Sequence, residues 1–137
     1  MDKPVVVQPA ESANEHAVLV VDDDDQVRRF IADSLRGLGY RVVDAASGTA
    51  ALSLMETNRF DLLLVDFAMP GMNGVELARA AREKQSHLKV LMVSGYADSA
   101  AIDAAPAVAR LLRKPFDLSE LSTAVDEMLN GADQVLA

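Results

Sequence analysis

The chain has 137 residues, half of them hydrophobic, which is enough to bury one compact core and leaves little room for a second domain. It contains no cysteine, which excludes disulfides, thiolate metal sites and cysteine nucleophiles, and its longest apolar runs, such as 62–65 and 90–93, are far too short to span a bilayer. The formal net charge is -8 and the thirteen basic residues are scattered, so neither direct nucleic-acid binding nor a membrane partner is expected; with no signal-peptide core in 1–16, the protein reads as cytoplasmic.

Residues 1–16 hold Pro4 and Pro9 among small and polar residues and are read as a disordered tail, with the domain over 17–131 and a second tail at 132–137. From residue 17 onward, short apolar runs alternate five times with stretches of helical period. Residues 17–21 form the first strand. The helix after it places Val27, Phe30, Ile31, Leu35 and Leu38 on one face and is closed by Gly37 and Gly39. Residues 40–45 are β-rich but carry Arg41 and Asp44, as suits an edge strand, and Ser47 caps a helix containing Leu52, Leu54 and Met55. The most buried run, 62–65, ends at Asp66. A turn through Met69, Pro70, Gly71 and Asn73 then leads to a helix bearing Val75, Leu77, Ala78 and Ala81. The fourth strand, 90–93, ends at Ser94 and Gly95. Beyond it lies an alanine-rich segment interrupted by Pro106, expected to form a short or frayed helix, with 98–106 locally mobile. Residues 110–113 make a short fifth strand and Pro115 breaks the chain. Asp117 or Ser119 starts the last helix, whose apolar face is Leu118, Leu121, Val125, Met128 and Leu129.

This alternation is the pattern of an α/β fold: a flavodoxin-like, doubly wound, five-stranded parallel sheet with helices on both faces. Such sheets bind ligands beyond the carboxyl ends of their strands, where this chain carries Asp22 and Asp23, Asp66, Ser94 and Lys114. Crowded carboxylates repel one another unless a hard cation sits among them, and magnesium is the natural candidate. Asp66 is then placed to act as nucleophile, with Lys114 neutralising charge on a transferring phosphoryl group and Ser94 donating a hydrogen bond to it. Asp24 and Asp25 fit helix-start residues better than ligands. His16 and His87 are isolated and read as surface residues, and the methionines as core or loop filling.

Five ordered pieces resemble the bacterial response regulator receiver domain: Val-Leu-Val-Val-Asp-Asp at 18–23, Leu-Leu-Val-Asp at 63–66, Met-Pro-Gly-Met-Asn-Gly at 69–74, Val-Ser-Gly at 93–95 and Lys-Pro-Phe at 114–116. The resemblance spans about 17–130. It implies Asp66 as phosphoacceptor, Asp23 as direct metal ligand, Asp22 as an acid just outside the direct ligands, and Ala68 as the source of a backbone carbonyl to the metal. It also implies Ser94 as the switch hydroxyl, Lys114 as the charge partner, and Mg2+, or Mn2+ in its place, as the ion. The implied function is two-component phosphorelay signalling: a histidine kinase or histidine phosphotransfer protein donates the phosphoryl group, and an unidentified downstream protein reads the altered surface near Ser94 and the last strand and helix. A receiver of this kind is not an enzyme in the ordinary sense but assists its own phosphorylation and slow dephosphorylation. The starting methionine and the tail favour a complete protein over a receiver cut from a hybrid kinase.

Two positions depart from the family pattern. Leu111 stands where the family often has Tyr or Phe, three residues before the lysine, and Ala68 offers no polar group two residues beyond Asp66. Ala68 and Tyr96 are expected to flank the approach of a hydrolytic water without assisting it. A small phosphohydrolase with an aspartyl nucleophile would need an acid at position 68. A binding-only scaffold would have lost a site residue, and a flavodoxin-like cofactor binder would not place four aspartates where a phosphate must sit.

Overall fold

The computed structural model describes residues 16–95 and 109–131. The tails apart from His16, the alanine-rich segment 96–108 with its expected mobility at 98–106, and Tyr96 lie outside the described residues. In chain order the elements are β1 (Ala17–Val21), α1 (Asp25–Gly37), β2 (Arg41–Ala45), α2 (Gly48–Leu54), β3 (Leu62–Asp66), α3 (Gly74–Lys84), β4 (Lys89–Ser94), β5 (Ala109–Arg113) and α4 (Leu118–Asp126), which runs into a π-helical turn, Glu127–Gly131.

All four strand pairings are parallel, in the order β2-β1-β3-β4-β5. The chain winds outward from β1 to β2 and then returns to lay β3 on the other side of β1. The switch point of the doubly wound sheet therefore falls between β1 and β3. Successive residues of each strand face opposite sides. Val18, Val20, Leu62 and Leu64 pack with Ile31 and Leu35 of α1 and Leu121 and Val125 of α4. Leu19, Val21, Leu63 and Val65 pack with Ala51 of α2 and with Leu77 and Ala81 of α3. The central strands are buried on both faces, which is why they read as unbroken apolar runs.

The helix starts follow the local chemistry. Asp24 caps α1 by accepting from the Gln26 and Val27 amides, Ser47 caps α2, and Asn73 and Asp117 each form a capping box with the glutamate three residues on.

Several details differ from the sequence expectation. Tyr40 precedes β2: its amide donates to the Leu35 carbonyl (3.1 Å), so it closes α1 and its ring is buried. β4 begins one residue early, at Lys89, whose ammonium is satisfied by the Met128 carbonyl at 2.6 Å. Phe30, Leu38 and Leu118 were expected on buried faces, yet they are 47%, 37% and 47% exposed. The sheet covers the narrower stripe Val27, Ile31 and Leu35, at spacing i, i+4, i+8, which leaves Phe30 on its flank. Leu38 is the cap beyond the last turn, and Leu118 is the first residue of α4, one turn ahead of Leu121. His16, assigned to the tail, accepts from the Arg41 amide through its carbonyl and meets Asn130 with its ring at 3.3 Å.

Candidate functional site

Backbone hydrogen bonds extend the sheet just past its strands and so fix the residues that follow. The Asp22 amide donates to the Ala45 carbonyl (3.2 Å), the Phe67 amide to Val93 (2.8 Å) and the Lys114 amide to Ser94 (2.9 Å). These bonds tie the end of β1 to β2 and the ends of β3 and β5 to β4, and the β1–β3 pairing, which runs to Val21–Val65, sets the two groups side by side on one edge of the sheet. The Asp22 carboxylate turns back to accept from the Asp24 amide at 2.8 Å.

This brings Asp22, Asp23 and Asp66 together, with one carboxylate oxygen of each within 4.8 Å of the others. Asp22 and Asp66 are buried, at 2% and 5% exposure, whereas Asp23 opens to solvent. Lys114 Nζ lies 3.2 Å from Asp66 Oδ1, close enough for an ion pair but not directed so as to satisfy that oxygen as a hydrogen bond. Among the described residues, Asp66 Oδ1 and Asp22 Oδ2 are thus buried acceptors without a hydrogen-bond donor. Ser94 is buried at the carboxyl end of β4, one residue past the Asp66–Val93 register pair. Ala68 is exposed in the loop beyond β3.

The electrostatics follow from this crowding. Burial, followed by the Asp22 charge, pushes the Asp66 carboxyl up from 3.8 to about 6 against the opposing pull of Lys114. Asp22 is also raised, first by burial, while the bond from the Asp24 amide and the charge of Lys114 act the other way. Buried carboxylate oxygens that repel each other and find no donor among the described residues form a hard, anionic donor set. A magnesium ion fits the residues present.

Two residues that hold the site receive no role from the sequence alone, although Gly74 closes the 69–74 piece. Gly74, the first residue of α3, approaches the β3 end so closely that a Cβ there would lie 2.8 Å from the Asp66 carbonyl oxygen and 2.9 Å from Phe67 Cα. Both are backbone atoms and cannot swing aside. Gly74→Ala is expected to cost about 1–3 kcal/mol and to shift the Asp66 loop. Thermal unfolding and the magnesium affinity of the variant check this, and unchanged values for both would show that the loop yields freely. The other residue is Arg28, whose partners lie on two different elements.

The family model for the response regulator receiver domain matches residues 18–126. The chain belongs to this family. Response regulator receiver protein CpdR of Brucella abortus is 37% identical over 118 residues, covering 84% of this chain and 98% of that protein. Sensor kinase CckA of the same organism is 42% identical over 120 residues, 85% of this chain but 13% of the kinase. The crystal structure of a response regulator receiver domain protein from Clostridium thermocellum superposes with a TM-score of 0.78 at 29% identity, covering 88% of this chain and 98% of that one. Receiver domains act in two-component signalling as phosphoacceptors, bind magnesium at a cluster of aspartates, and occur both alone and within kinases. Among the described residues of this receiver, no helix is long and apolar enough to cross a membrane.

Proposed function

We propose that this receiver, over residues 17–131, takes a phosphoryl group on Asp66 from a histidine kinase or histidine phosphotransfer protein in the cytoplasm. A single observation carries the reading. Asp66 is a buried carboxylate at the end of a central strand, with an unsatisfied oxygen, two acids within 4.8 Å and a lysine ammonium at 3.2 Å.

An Asp66 oxygen forms the bond to phosphorus as the phosphorus–nitrogen bond of a phosphohistidine breaks; the electron pair leaves with the imidazole nitrogen. Lys114 faces the charge that arrives on the phosphoryl oxygens, and the Ser94 hydroxyl donates to one of them. Asp23, Asp66 and the Ala68 carbonyl would hold Mg2+, with Asp22 beside them. When bound, the ion supplies charge neutralisation to the carboxylates and the phosphoryl group. Even without it, a carboxyl titrating at about 6 is ionised at pH 7 by roughly ten to one, so the nucleophile is available. Recruitment of Ser94 toward the phosphoryl group alters the surface near β4, β5 and α4, which a downstream protein reads.

The test is intact mass after incubation with acetyl phosphate and magnesium. The parent should gain one phosphoryl group and Asp66→Asn none; equal labelling of both would place the acceptor elsewhere. The lifetime of the phosphoryl group gives a second expectation. The methyl group of Ala68 cannot orient an attacking water, so self-hydrolysis is slow, and Ala68→Asn should shorten the lifetime several-fold by supplying a carboxamide near the in-line approach. Decay of phosphoprotein after donor removal measures it, and an unchanged lifetime would show that position 68 does not govern water.

A further inference from the structure

Arg28 lies one turn into α1 and is not among the groups that would touch metal or phosphoryl oxygen. Its side chain is nevertheless 13% exposed, and each arm of its guanidinium has a partner. Nη1 donates to the Asp22 carbonyl at 2.9 Å, Nε to Asp44 Oδ2 on β2 at 3.0 Å, and Nη2 pairs with Asp25 Oδ1 at 2.7 Å. Asp25 is 72% exposed, so that pair contributes little. The bonds to Asp44 and to the Asp22 carbonyl form a brace from the edge strand to the site.

The peptide that Arg28 grips joins Asp22 to Asp23. The Asp22 amide is already fixed to Ala45 and its carboxylate to the Asp24 amide. The bond from Arg28 to its carbonyl fixes the remaining freedom, rotation of the 22–23 peptide plane, and that rotation decides where the exposed Asp23 carboxylate points. A lysine could not reproduce the brace, because a single ammonium lacks the planar fork that spans Asp44 and the carbonyl together.

We propose that Arg28 is a positioning residue for the magnesium site, holding the Asp22–Asp23 peptide so that Asp23 converges on Asp22 and Asp66. The proposal rests on the reading of these acids as metal ligands. Its sign separates it from plain electrostatics. Removing a cation near the site favours a dication by Coulomb attraction and would tighten magnesium binding, whereas loss of positioning weakens it. A merely structural role would lower the thermal midpoint and leave the affinity of the folded protein unchanged.

The experiment is calorimetric titration of magnesium chloride into the parent, Arg28→Met, Arg28→Lys and Asp23→Asn at 25 °C, with folding of each checked by circular dichroism. Affinity is expected to fall about ten- to a hundredfold in Arg28→Met, and to fall also in Arg28→Lys despite its retained charge. Should Arg28→Met fail to fold, Arg28→Lys decides. Parent-like or tighter binding by a folded Arg28 variant overturns the proposal. A parent that does not bind, or an Asp23→Asn variant that binds equally well, removes the metal reading itself and the proposal with it.

Discussion

Replacing Lys114 by glutamine is expected to slow phosphorylation of Asp66 by acetyl phosphate about a hundredfold or more, the usual effect of removing one preorganised charge-stabilising group from a transfer site. The lysine is placed for this by its backbone, not by its long side chain alone. Its amide is tied to the Ser94 carbonyl at 2.9 Å, which sets β5 and β4 in register where the chain leaves the sheet, and its Nζ then reaches 3.2 Å from Asp66 Oδ1. Glutamine is one atom shorter but keeps an unbranched stem and a polar end, so the fold should survive, but it cannot neutralise charge. Arg113, although adjacent, is paired in register with Ser94 as the last residue of β5 and is no substitute at the lysine's position. Initial rates at saturating magnesium, with thermal midpoints recorded alongside, measure the effect. Parent-like rates in folded Lys114→Gln would reduce the lysine to a bystander.

Asp66→Asn should stabilise the magnesium-free protein at pH 8 by up to about 3 kcal/mol, and the gain should vanish near pH 4. The carboxyl titrates at about 6 when folded, against an ordinary value of 3.8, with burial the first cause and Asp22 the second. Between those values the folded chain holds a proton that the unfolded chain has released, so the parent loses stability as pH rises through about 6. The interval of roughly two pH units corresponds to about 3 kcal/mol at 1.36 kcal/mol each. Asparagine is neutral throughout and escapes this loss. For a domain of this size the difference is on the order of 10 °C in thermal midpoint. Thermal unfolding of both proteins in chelator at pH 4.5 and pH 8 provides the check. A variant less stable than the parent at pH 8 would mean that Lys114 already outweighs the repulsion. Saturating magnesium should shrink or reverse the gap, since ligand binding stabilises the parent selectively.

Most of the strand framework was legible in the chain because parallel strands buried on both faces need continuous apolar runs, as at Val18–Val21, Leu62–Val65 and Val90–Val93. The order of elements then placed Asp22, Asp23, Asp66, Ser94 and Lys114 at strand ends, and the structure brings the three acids and the lysine together there. The roles of Asp24, Ser47 and Asp117 at helix starts were also readable, because capping is decided within a few residues, whereas Asn73 was read only as a turn residue. Errors arose where periodicity had to stand in for contact. Phe30 and Leu118 lie at apolar positions of their helices, but which part of a helix face is covered depends on how it rests on the sheet.

By itself, then, the sequence determined what is local or periodic: the strand runs, the helix caps, the alternation that requires a doubly wound parallel sheet, and the kinds of side chain at each strand end. Tertiary structure alone decided the distances and the dielectric. It set Lys114 3.2 Å from Asp66, raised the Asp66 carboxyl to about 6 by burying it beside Asp22, pressed Gly74 against the Asp66 backbone, and let Arg28 bridge Asp44, sixteen residues away, to the Asp22 carbonyl. Each of these depends on elements distant in the chain meeting in space. Coulomb and desolvation energies vary with separation and burial, which residue spacing along one helix or strand does not encode.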